Sequence, residues 1–209
     1  MATDLAEFYD RVIFELNEAE TLTAHLPGVT ARAARFIEQN WTLSYMEKKE
    51  TVSIPAVDPP VVDLGAALIK KVVDWYYTDS DEGEIVHLIQ VDPFDFASIS
   101  DGKARYFYLT ESRYASLDAK TSTPYDTSLV VARFTTWPDA GAPWLVVHGE
   151  DLLLCEVMIR LAPVTRDKSL MEMYGALKPQ AIKSLLMADM ELRESLRDSR
   201  SQYLPREVV

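Results

Sequence analysis

Cysteine is almost absent from the chain. Cys155 is the single one in 209 residues, so no disulfide can close within it. It sits inside the run Leu152-Leu153-Leu154-Cys155-Glu156-Val157-Met158, where a small buried hydrophobe is expected rather than a reactive thiol. Long apolar runs are missing too: none reaches the ~18 residues that a membrane-spanning helix needs. The opening residues 1–16 are acidic and amphipathic, without the basic and then apolar pattern of a secretory leader. The expectation is a protein that stays in the cytoplasm where it is made. Positive charge is scarce, with 21 Lys and Arg against 33 Asp and Glu, a net charge of -12. Tight grip on nucleic acid needs clustered basic side chains and is not expected. An acidic surface past which DNA slides without sticking is compatible with this charge, and so is simple solubility. The seven glycines are scattered singly and build no phosphate-binding loop. His25, His87 and His148 are far apart, and no two stand at metal-ligand spacing. Nucleophile-elbow, P-loop and zinc-protease motifs are all missing. The sequence therefore leads us to expect no catalytic residue, no metal and no cofactor.

What is present is ordinary globular material. The hydrophobic share is 48% and the charged share 26%, and the length suits one substantial core or a core with a satellite. Leu5, Phe8, Val12 and Leu16 recur at helical spacing in a first helix over 2–20, with Thr3 or Asp4 as its cap. A loop over 21–29 precedes a second helix over about 31–48, capped by Thr30 and striped by Ala34, Ile37, Trp41 and Tyr45. From Glu50 the texture becomes β-like. Strands are expected at 51–54, 71–77, 85–89, 104–109 and 129–134. A helical turn is expected at 66–70, a turn with a short helical segment at 91–98, and a polar loop over 114–125. A buried helix starting at Glu150 or Asp151 should be apolar nearly all round and stop at Pro163. A long helix capped by Asp167 or Ser169 follows, with Pro179 expected to kink or restart it.

The fold class read from this order is α+β: a bundle of about four helices with an inserted antiparallel sheet region. The boundaries are a helix pair at 1–49, a β-rich region at 50–143, a closing helix pair at 144–200 and an extended tail at 201–209.

Three stretches carry chemistry worth weighing. Asp79, Asp81, Glu82 and Glu84 resemble the start of a calcium loop, but the glycine comes one position early and Gln90 replaces the closing glutamate. An exposed acidic turn is the plainer reading. Asp92 and Asp95 could act as paired carboxylates in a hydrolase, or simply cap a turn. Trp75, Tyr76, Tyr77, Tyr106, Phe107 and Tyr108 could stack bases, but they lack the basic groove that such platforms use, and packing or contact roles suit them better. A carboxylate hydrolase and a partner- or ligand-binding module thus remain alternative readings.

Several phrases taken in order resemble one family. They are Val61–Tyr77 (VVDLGAALIKKVVDWYY), Leu88–Leu109 (LIQVDPFDFASISDGKARYFYL), and the closing pair Pro143–Asp167 and Met173–Leu196. This layout is similar to the head-to-tail adaptor, connector or head-completion proteins of tailed double-stranded DNA bacteriophages, of the tail-accessory-factor type. Pro179 and the Cys155-Glu156 pair depart from that family's helix pattern. The resemblance implies a virion structural protein that forms a dodecameric ring at the head–tail junction. Its partners would be the portal protein above, a tail or nozzle protein below, and copies of itself. Genomic DNA would pass through the channel without specific binding, and no membrane would be involved. It implies Leu192, Leu196, Tyr203 and Leu204 as portal contacts, and Trp75, Tyr76, Tyr106 and Tyr108 as contacts to subunits or tail.

Overall fold

The computed structural model describes residues 4–16, 22–56, 61–65, 68–79, 83–94, 100–110, 113–120, 122–135, 137 and 143–201. They form two compact units. One unites residues 1–45 with 135–209, and the other is the continuous stretch 46–134.

The first unit is helical. It contains α1 (Leu5–Leu16), α2 (Leu26–Asn40), α3 (Trp144–His148), α4 (Glu150–Thr165) and α5 (Lys168–Ser201). Asp4 caps α1 by accepting the amide N–H groups of Ala6 and Glu7 at 2.9 and 3.0 Å. Leu5, Phe8 and Val12 then fall on one face and enter the core. The second helix starts earlier than its Thr30 suggested, because Pro27 is tolerated in the first turn, where its missing N–H costs nothing. It also ends earlier, at Asn40, and residues 47 and 48 already belong to a strand. Helix α4 is the centre of this core. Leu152, Leu153, Leu154, Cys155, Val157, Met158 and Leu161 are all buried around its circumference. Gly149 separates it from α3, since a Cβ there would meet the Leu145 side chain at 3.0 Å and its carbonyl at 3.3 Å. Pro163 does not stop α4 at once. The helix runs on to Thr165 and closes on Arg166, which takes the left-handed conformation at φ 57°.

Among the described residues four carboxylates are buried in this helical core. Glu38 accepts the Thr135 amide at 3.2 Å and the Trp144 indole N–H at 3.3 Å, and burial pushes its carboxyl up. Asp189 accepts the Ser44 amide at 2.6 Å and pairs with Arg193 at 2.8 Å. Glu150 pairs with Arg11 at 2.6 Å, and Glu156 with Arg160 and Lys178. Each carboxylate has a donor, as burial of a charge demands.

The second unit is built of strands β1 (Glu47–Ile54), β2 (Val61–Asp63), β3 (Ile69–Thr78), β4 (Ile85–His87), β5 (Ile89–Gln90), β6 (Ser100–Asp101), β7 (Tyr106–Thr110), β8 (Tyr114–Leu117), β9 (Ala119–Lys120) and β10 (Tyr125–Arg133). One four-stranded sheet has the order β1-β10-β3-β4 and is antiparallel throughout. A second has the order β2-β8-β7-β5, with β5 and β7 parallel. Strands β6 and β9 form a short parallel pair. The core of this unit includes Trp75 of the first sheet and Phe107 of the second, whose rings meet edge to face at 4.9 Å. The Trp75 indole N–H donates to the Thr127 hydroxyl at 2.7 Å.

These elements correct the sequence expectation. The chain is α+β, but its described residues form five helices and two four-stranded sheets rather than a four-helix bundle carrying a single inserted sheet. Residues 114–125, expected as a polar loop, supply β8 and β9. Ala115, Leu117 and Ala119 alternate into the core, and the buried Asp118 accepts the amides of Arg105 and Tyr106, both at 2.9 Å. Small and polar residues hid that alternation. Lys168–Ser201 is one helix through Pro179. Gly175, four residues earlier, loses its partner amide on the exposed side, where solvent can replace it. The helical turn expected at 66–70 meets β3 at Ile69, and its residues 66 and 67 lie outside the described residues, as does most of the segment expected at 91–98.

Tyr125 gives the β unit a pH dependence. Burial pushes its phenol up to about 12, and its oxygen accepts the Ala104 amide at 3.0 Å. The folded state keeps this proton while the unfolded chain, ionising near 10, gives it up. This group's stabilising effect is therefore intact below pH ~10 and is lost as pH rises toward ~12. Tyr125→Phe is expected to destabilise the unit at pH 7 by about 1–3 kcal/mol through the orphaned amide. The gap between the variant and the parent should narrow as pH climbs from ~10 to ~12 in denaturant titrations.

Candidate functional site

Helix α5 has 34 residues and so spans about 51 Å, against about 24 Å for the 16-residue α4 it packs on. Asp167 caps its start, accepting the Ser169 hydroxyl and amide and the Leu170 amide. These bonds, the Ser169 hydroxyl first, hold the Asp167 carboxyl below the usual carboxylate range. Among its described residues Tyr174, Leu185 and Asp189 are buried. Beyond Asp189, Arg193 donates to the Thr42 carbonyl at 3.2 Å, and Glu194 and Ser195 are exposed. Around the rest of its circumference Met173, Leu177, Leu186, Met187 and Met190 are exposed. Flexible methionines on an exposed helix face suit contact with a partner surface.

Of the residues the family resemblance singled out, Leu192 is half-buried on α5. The Leu196 side chain, Tyr203 and Leu204 lie outside the described residues. Beside this arm, an open groove of about 380 Å³ is lined by Arg11 and Glu15 of α1, Leu154 and Cys155 of α4, and Met173 and Tyr174 of α5, among others. The Tyr174 hydroxyl donates to Glu15 at 3.1 Å. Burial pushes the Cys155 thiol up to about 11, so it stays protonated at neutral pH and packs as a small hydrophobe.

The aromatic candidates of the β unit divide. Trp75 is wholly buried, so its ring serves the core and offers no surface to a neighbour. Tyr106 is exposed, and Tyr76 and Tyr108 are partly so. Tyr76 lies under the Lys49 ammonium, 5.3 Å from its ring centre, and near His87. Tyr76 belongs to β3, whereas Tyr106 and Tyr108 belong to β7 in the other sheet.

The acidic candidates do not converge among the described residues. Asp92 is exposed and accepts the Phe94 amide at 3.0 Å, a turn-forming bond, while Asp95 lies outside the described residues. Asp79 pairs with Lys103 at 3.2 Å, and its carbonyl accepts the Gly83 amide; Asp81 and Glu82 lie outside the described residues. Asp74 pairs with His87, and His148 stacks on Tyr45. Among the described residues no group of three His, Cys, Asp or Glu side chains is placed to hold a metal ion. No described helix is long and apolar enough to cross a membrane.

One feature was not anticipated from the sequence: an open seam where β1 faces β2. Its groove of about 560 Å³ is lined by Glu50, Thr51, Val52 and Ser53 of β1 and by Val61, Val62 and Asp63 of β2. Arg133, buried at the end of β10, staples one end by a two-pronged pair with Glu50, 2.6 Å at its shorter arm, and a bond to the Leu64 carbonyl. On the other strand Arg113 clamps Asp63 through two bonds and holds its carboxyl down at about 2. The arginine that closes the apolar run Leu129–Ala132 was the sequence signal for this staple. No protein-family model matches the chain, and no curated protein is significantly similar to it.

Proposed function

We propose that the chain is a head-to-tail adaptor of a tailed double-stranded DNA phage, a non-enzymatic ring subunit seated between portal and tail. The ordered resemblance of Val61–Tyr77, Leu88–Leu109 and the closing helices supports this reading. The structural observation that carries it furthest is α5, which extends beyond Asp189, the last buried one among its described residues, and bears exposed methionines and leucines. In this reading α4 anchors the subunit, and α5 presents Leu192, Leu196, Tyr203 and Leu204 to the portal. Tyr76, Tyr106 and Tyr108 face neighbouring subunits or the tail, with Trp75 holding the core behind them. The net charge of -12 suits a channel past which DNA slides. The protein is made in the host cytoplasm and ends in the virion at the head–tail junction.

Electron microscopy of the purified chain mixed with a portal ring tests this directly. Rings seated on the portal are the expected result, and a chain that stays monomeric and leaves the portal bare removes the reading. Truncation after Asp198 sharpens the test. It should leave the melting midpoint unchanged, because nothing beyond Asp189 is buried among the described residues. It should weaken portal docking by roughly tenfold or more, the effect of losing anchor side chains. A truncated chain that unfolds would assign the arm to the core instead.

A further inference from the structure

The β unit is a sandwich whose two sides are both formed by the end strands of its sheets. At one side Ile85–Gln90 serves both sheets: β4 pairs with β3, β5 pairs with β7, and the buried Leu88 between them donates its amide to Trp75 at 2.7 Å. β4 and β5 end their sheets at this side, as β1 and β2 do at the other, and no described strand pairs with the outer edge of any of the four. Sheet edges of this kind invite another strand. We propose that the β1/β2 seam of one copy receives the β4–β5 corner of a second copy, so that this chain associates head to tail through its sandwiches.

The choice of a second copy rests on the ring reading above and on two observations. The first is charge. Both carboxylates lining the seam are already neutralised within the chain, Glu50 by Arg133 and Asp63 by Arg113, so the seam suits an uncharged strand. Between Glu84 and Asp92 the corner sequence Ile85-Val86-His87-Leu88-Ile89-Gln90-Val91 carries no Asp, Glu, Lys or Arg. The second is exposure. Ile85 and Ile89 are 59% and 55% exposed on that corner, while Val61 is 50% exposed on the seam, so apolar surface left open on one side meets its like on the other. Seam and corner lie on opposite sides of the same sandwich, so the contact is heterologous and repeats from copy to copy, as a ring requires.

Cysteine pairing tests this. Ser53→Cys places a thiol on the seam and Ile89→Cys one on the corner, both at exposed positions, while Cys155 stays buried. Full-length chains bearing one substitution each are mixed and mildly oxidised. The mixed disulfide dimer should exceed either like-with-like dimer by at least about tenfold, since docking raises the local concentration of only the unlike pair. Adding Ile85→Lys to the Ile89→Cys chain should remove that excess, with circular dichroism unchanged. Absence of the mixed dimer, or like-with-like dimers in equal yield, overturns the proposal. Rings that form on the portal without the seam cross-link overturn this contact and leave the adaptor reading standing. A seam cross-link in a chain that never caps a portal supports the contact and removes the adaptor reading.

Discussion

Trp75→Ala is expected to destabilise the β unit by about 3–5 kcal/mol, the range for deleting a fully buried large aromatic ring. The ring is wholly buried and meets Phe107 of the opposite sheet edge to face at 4.9 Å. Its removal leaves a cavity between two sheets held apart by their own strand pairing, so collapse is limited. It also strips the Thr127 hydroxyl of its indole donor, although that hydroxyl still donates to the Val52 carbonyl at 2.8 Å. Hydrogen exchange of the β3 and β10 amides should report the loss as earlier opening, and the denaturant midpoint should fall. Trp75→Phe keeps most of the ring contact and forfeits the indole bond, so its cost should be smaller, about 1–3 kcal/mol. Equal protection in the alanine variant and the parent would show that the two sheets do not share this core.

The second large effect is expected in the helical unit, where one helix supplies its own control. Phe8 and Phe14 both lie on α1, but Phe8 is wholly buried in the helical core and Phe14 is 83% exposed. Phe8→Ala should cost about 3–5 kcal/mol. Phe14→Ala should stay within about 0.5 kcal/mol of the parent, as surface changes do. Chemical denaturation of the two variants decides the point. Similar midpoints would mean that α1 is not seated by Leu5, Phe8 and Val12.

Much of the helical unit was legible because its apolar spacing is dense. The stripe Leu5-Phe8-Val12 and the almost uniformly apolar Leu152–Leu161 each left one physical option, a buried face or a buried helix. Asp4 and Asp167 were readable as caps, since short side chains that accept the first free amides have a local signature. Legibility failed where the deciding contact is distant. Residues 114–120 looked like a loop, because Ser116 and Asp118 are polar. Only the amides of Arg105 and Tyr106, brought alongside by the fold, make burial of Asp118 tolerable. The candidate surfaces behave the same way. Trp75 and Tyr76 are adjacent in sequence, yet strand alternation sends one into the core and leaves the other partly exposed.

By itself the sequence determined the segments: where helices are capped, which stripes are apolar, that one thiol is buried, and that the chain is acidic. Those properties depend on near neighbours and on composition, which a linear reading contains. Only the tertiary structure decided that the strands divide into two sheets, and that the Ile85–Gln90 corner ties them on one side while β1 and β2 part on the other. Strand pairing joins residues as far apart as Glu50 and Leu129, and Arg133 staples Glu50 to Leu64. Such partners are chosen by loop closure and by burial shared across the whole unit, and no local pattern encodes that choice.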